Sequence, residues 1–151
     1  SLPSAKSYEM ISARVHESAV VPAPIASVWK HVRSMTFSWW SLVEKTTCEG
    51  AVDQVGSTHT ISYKDGSKWA VRLSELSDID TFLTYEVVSS EDPLPVTSAI
   101  HTIRLRRITS NNTTFVEWTT DFSADVTTAV TEDSRHKKLE AFADLAKAVQ
   151  A

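Results

Sequence analysis

The chain has 151 residues, 42% of them hydrophobic and 23% charged, with a net charge of −4 and a pI near 5.7. That length supports one domain with a proper core and is too short for two ordinary ones, so residues 1–151 are expected to fold as a single unit with 1–9 as a flexible lead. The acidic balance, without any basic block, speaks against nucleic acid or an anionic membrane as the main partner.

No apolar run reaches the ~20 residues that span a bilayer, so integral membrane association is not expected. No positive-then-apolar segment marks a signal peptide. The single cysteine, Cys48, has no partner for an internal disulfide. Together these features predict a cytoplasmic location. The overlapping sequons in Asn111-Asn112-Thr113-Thr114 then read as turn residues rather than glycosylation sites.

The first element is a strand-like run from Ile11 to Val21, halted by Pro22-Ala23-Pro24. Proline cannot continue a central strand but suits the first turn of a helix. A helix is therefore predicted from Ile25, with Val28, Trp29 and Val32 on one apolar stripe. A second short, aromatic helix is expected around Phe37-Ser38-Trp39-Trp40. Strands follow over Val43 to Glu49, Ser57 to Tyr63, Lys68 to Leu76, Thr81 to Val88, Val96 to Ile108 and Thr113 to Phe122. Asp65-Gly66 and Asn111-Asn112 supply hairpin chemistry, and short turns between consecutive strands imply an antiparallel meander.

From about Thr131 to Val149 the pattern becomes helical, with Glu132 and Asp133 placed to suit the helix dipole. Leu139, Phe142, Ala143, Leu145, Ala146 and Val149 recur at three- and four-residue spacing, and Leu139 and Phe142 are expected to face the sheet. The basic residues Arg135, Lys137, Lys138 and Lys147 fall mostly off that stripe. The predicted fold is α+β: a seven-stranded antiparallel sheet wrapped around a long C-terminal helix, with two short helices after the first strand.

Five segments in this order, VPAPIASVW, VGSTHTISYKDG, VRLSELSD, PLPV and FVEWTTDF, resemble the polyketide cyclase/dehydrase-like branch of the START-related helix-grip superfamily, which includes the birch pollen allergen. The resemblance implies a small-molecule cavity between sheet and helix. It implies no particular reaction, because this fold hosts carriers, hormone receptors and enzymes alike. No cofactor and no metal site are expected.

Strand side chains alternate faces. The resemblance to the plant abscisic acid receptors of the same architecture sets which face is inner. It turns His59, Ile61 and Tyr63 of the third strand inward, then Trp69, Val71 and Leu73 of the fourth. Tyr85 and Val87 follow in the fifth, and Ala99, His101, Ile103 and Leu105 in the sixth; Leu94 stands in the PLPV loop. In the seventh strand the resemblance turns Glu117 inward, whereas bulk favours Val116 and Trp118. Glu17 shares the alternation of Ala13, Val15 and Ala19 and is read either as inward or as a solvated strand-end residue.

His59, His101 and Glu117 are the catalytic candidates. On one cavity they would bind a hydroxyl, carbonyl or carboxylate, or act as acid and base. Alternatively, the two histidines are hydrogen-bonded residues of a half-polar sheet interior. Departures from the receptors are clear: the gate is the short polar Lys64-Asp65-Gly66-Ser67, the latch is Pro93-Leu94-Pro95, and the position of the receptors' ligand-anchoring lysine falls near Trp39-Trp40-Ser41, where this chain has no lysine. The expected function is binding of a small, mostly apolar ligand, such as a lipid, polyketide or hormone-like molecule. A cyclase, dehydrase or isomerase and a cochaperone-like protein-binding module are the alternatives.

Overall fold

In the computed structural model, which describes residues 13–150, strand β1 (Arg14–Val21) stops at Pro22. Ile11 and the 1–9 lead lie outside the described residues. Pro24 caps helix α1 (Ile25–Arg33) in an extended conformation, and Val28, Trp29 and Val32 are buried as the stripe predicts. The exposed end of α1 is pinned to the turn after the fourth strand. Asp78 Oδ1 accepts from Trp29 Nε1 at 2.9 Å and from Arg33 Nε at 2.7 Å.

The second short helix is absent. Met35 and Phe37 adopt left-handed backbone angles (φ 57° and 51°), which an α-helix cannot propagate. Both side chains are 1% exposed, so burial of two large apolar groups stabilises a turn that the backbone alone disfavours.

The remaining strands are β2 (Val43–Glu49), β3 (Thr58–Tyr63), β4 (Lys68–Ser77), β5 (Phe82–Ser90), β6 (Ala99–Ile108) and β7 (Thr113–Phe122). They form one antiparallel sheet in the order β1-β7-β6-β5-β4-β3-β2, so α1 and residues 34–42 carry the chain from one edge to the other. Gly66 (φ +91°) closes the β3–β4 turn, where Asp65 Oδ1 accepts from Ser67 N. Register shifts between Ala70 and Val71 and between Leu73 and Glu75 bend β4, which helps the sheet curl.

Helix α2 (Thr128–Ala148) begins three residues before the predicted start, because the Thr127 hydroxyl accepts from Val130 N as an N-cap. Its buried face is Lys138, Ala141, Phe142 and Leu145. The expected stripe needs correction: Leu139 is 42% exposed and Ala143 is exposed, while Lys138 takes the inward position. Phe142 packs edge-on against Trp118 with centroids 6.4 Å apart, and Asp144 accepts from Ser41 N at 2.9 Å. No described helix is long and apolar enough to cross a membrane.

Candidate functional site

Between the inner sheet face and the first half of α2 lies a cavity of about 530 Å³. Alternation along the central strands supplies its wall: Tyr63 from β3, Trp69 and Val71 from β4, Tyr85 and Val87 from β5, Ala99 and His101 from β6. Leu94, Pro95 and Val96 close one side from the loop before β6, and Ala129, Val130 and Ser134 close another from α2. Trp40 and Trp118 add aromatic surface. The charged side chains at its border, Lys64, Asp65, Asp133 and Lys137, are exposed, which places them at the mouth.

One polar chain reaches the buried end. Lys138 Nζ donates to Thr120 Oγ1 at 2.6 Å and to Ser134 Oγ at 2.7 Å. Thr120 Oγ1 lies 2.8 Å from His101 Nδ1, and the His101 ring stacks on Tyr85 at 4.8 Å. Burial lowers Lys138 from 10.5 to about 7, opposed by the charge of Glu17. Burial, helped by the Lys138 charge, lowers His101 to about 3, so its imidazole is neutral. Thr120 can then accept from Lys138 and donate to Nδ1, which puts the imidazole proton on Nε2. Burial pushes the Tyr63 and Tyr85 phenols up, so both stay protonated.

Not every predicted site residue meets this cavity. Ile61, Leu73 and Ile103 share the inner face but are sealed in the core, at 1%, 0% and 2% exposure. Phe142 is likewise core. Leu139 points away, because the true inward positions are one residue earlier and three later. His59 is inward and buried but apart from the cavity: its Nε2 lies 3.0 Å from Ser57 Oγ and 3.7 Å from Cys48 Sγ, its partner in register on β2. Burial lowers its pKa, against a raising hydrogen bond with the Val52 backbone.

Glu117 is on the outer face, which corrects the inward expectation. Alternation turns Val116, Trp118 and Thr120 inward, and Glu117 meets His16 of β1 and Arg106 of β6, each at 3.0 Å. Burial alone would raise its carboxyl, but those two hydrogen bonds hold it below the usual value. Glu17 sits on the helix side, 3.5 Å from Arg135. His59, His101 and Glu117 therefore do not form one cluster.

Thr120 and Ser134 carry no signal for this site in the sequence, and the residue at its centre that the apolar pattern leaves off the stripe is Lys138. Its only signal was position: 138, 141, 142 and 145 make an inward stripe by spacing, with a lysine in the first place.

Comparison with known proteins agrees with this fold. The family described as polyketide cyclase/dehydrase and lipid transport matches residues 12–148. No curated protein matches the sequence. A solved structure from Nitrosospira multiformis superposes with a TM-score of 0.78 at 26% identity, covering 89% of this chain and 94% of that one. XoxI from Bacillus cereus gives 0.78 at 21%, covering 91% and 96%. Major latex-like protein 151 from Panax ginseng gives 0.74 at 14%, covering 91% and 97%; at such identity it speaks for the fold alone. With a match across nearly the whole chain, and a sheet that grips its last helix around a cavity, the chain belongs to the polyketide cyclase/dehydrase and lipid-transport family of the START-related helix-grip superfamily.

Proposed function

We propose that this protein binds one small, mostly apolar molecule, of lipid, polyketide or hormone-like kind, in the cavity between sheet and helix. The observation that carries the reading is the cavity itself: about 530 Å³, walled by aromatic and aliphatic side chains with few polar points. Small-molecule sites have this size and character, at about 300–1,000 Å³. An apolar fluorescent probe is expected to bind at about one equivalent. Ala99→Trp fills the wall from a small, 5% exposed position and is expected to abolish binding while the protein stays folded. Unchanged affinity in that folded variant would place the site elsewhere.

A second reading, a cyclase, dehydrase or isomerase, is favoured by one observation, the Lys138–Thr120–His101 chain, which could relay a proton. Its acid and base would then be Lys138 and His101 rather than His59 and Glu117. Replacing His101 by Gln separates the two. A positioning role predicts about a tenfold loss in binding, whereas acid–base work predicts ~10²–10⁴-fold in turnover with binding little changed. The protein-binding alternative has less support. Large exposed apolar side chains are distributed over β1, β5, β6, α2 and two turns, and the interior holds a cavity.

A further inference from the structure

An apolar ligand alone leaves Lys138 without a role. The residue is 4% exposed, and its ammonium is held by two neutral hydroxyls, 5.4 Å from the centroid of the Trp118 ring. No carboxylate lies within ion-pair distance of it among the described residues. Glu17, whose charge it feels, is engaged by Arg135. A buried cation without a counter-ion is an unfavourable arrangement that an anion from outside the chain would complete.

The rest of the buried polar wall has the same bias. The Trp40 indole N–H is buried, borders the cavity and has no hydrogen-bond acceptor among the described residues. The Trp118 indole N–H also closes no hydrogen bond of normal geometry, although it favours ionisation of the Tyr85 hydroxyl beside it. Tyr85 and His101 keep their protons as donors. The carboxylates at the border are at the exposed mouth and already engaged: Asp65 by Ser67, Asp133 by Lys137 at 2.8 Å. Unused proton donors lie deep and the carboxylates lie outside.

We propose, resting on the ligand-binding reading above, that the ligand is an apolar acid whose carboxylate becomes the counter-ion of Lys138 and whose hydrocarbon body lies against Trp69, Val87 and Leu94. The lysine has three N–H donors and two are used, so one remains for the ligand. A wall without such a counter-charge would select the opposite way, since burying an unpaired carboxylate is far less favourable than burying a hydroxyl.

The test compares decanoate with decanol by calorimetry, in the wild-type protein and in Lys138→Met. At a pH of about 6.5 the wild type is expected to prefer decanoate by roughly 10- to 100-fold, the range for a charge-assisted hydrogen bond. In Lys138→Met that preference should vanish, with decanoate losing far more affinity than decanol. A second arm needs no variant. Between a pH of about 6.5 and about 9, decanoate affinity should fall by about tenfold or more as Lys138 loses its proton, with decanol flat. The charged and titratable groups coupled to Lys138 are Glu17 from β1 and His101 from β6; Asp133 and Lys137 of its own helix border the same cavity and are paired with each other. His101 is already neutral throughout that window.

Decanol bound as tightly as decanoate, a flat decanoate profile, or equal weakening of both by Lys138→Met would overturn the proposal and leave the apolar-ligand reading standing. Binding of neither molecule, together with failure of the apolar probe, would overturn both.

Discussion

Burial moves Lys138 from 10.5 to about 7, and the direction of that shift fixes how stability depends on pH. The unfolded chain keeps this proton up to about 10.5, whereas the folded chain releases it near 7. Below the folded value both states are protonated and folding carries the full penalty of a buried charge. As pH rises from about 7 to about 10.5 the penalty is relieved, so this group makes stability increase across that window. His101 acts at the other end. Its neutral form is the folded one, so its contribution is intact above 6.5 and lost as pH falls towards about 3. Lys138→Met should remove the alkaline rise and, at neutral pH without ligand, stabilise the protein by about 1–4 kcal/mol, as apolar replacement of buried charge often does. Urea unfolding at several pH values measures both effects, and a destabilised variant that keeps the wild-type slope would contradict the argument. Glu117→Gln is the contrasting case. Its partners are on the outer face, so it should change stability by about 0–1 kcal/mol and leave probe affinity unaltered.

Helix α2 holds the sheet closed through a narrow face in which Phe142 is the largest apolar group. It is 4% exposed, packed on Trp118 and not part of the cavity wall. Phe142→Ala should therefore destabilise by about 3–5 kcal/mol, read from denaturant midpoints; a much smaller loss would mean that the site borders open space. The strands were legible because alternation and turn chemistry agree, as at Gly66 and at Asn112 (φ 56°). Helix α2 was legible as an element but not in its facing. Leu139 and Ala143 satisfy an apolar stripe on hydropathy, yet the core takes Lys138 and Ala141 instead. The helix expected around Phe37-Ser38-Trp39-Trp40 does not form, because Met35 and Phe37 take left-handed angles that neither residue type announces. In β7 the bulk of Trp118 was the sound signal, and Glu117 follows from it by alternation.

At the scale of the molecule, alternation identifies an inner face but not where that face meets the helix and where it stays clear of it. Ile61, Leu73 and Ile103 are as inward as Val71 and Ala99, yet they end in core rather than cavity wall, because that depends on how the curled sheet closes over α2 and residues 34–42. The same closure leaves wall atoms at the cavity with fewer packing partners than a filled core would have, a deficit in dispersion that a ligand can supply. Ligand and fold should then be linked. With an apolar probe at about 100 times its Kd, unfolding free energy should rise by about 2.7 kcal/mol. For a chain of this length that corresponds to a Tm increase of roughly 5–10 °C. Ala99→Trp should show no such shift, because its indole occupies the volume that the probe would fill. A wild-type Tm that does not move at saturating probe would mean that the probe binds folded and unfolded chains alike, as surface adsorption does, and would remove the cavity from the account of function.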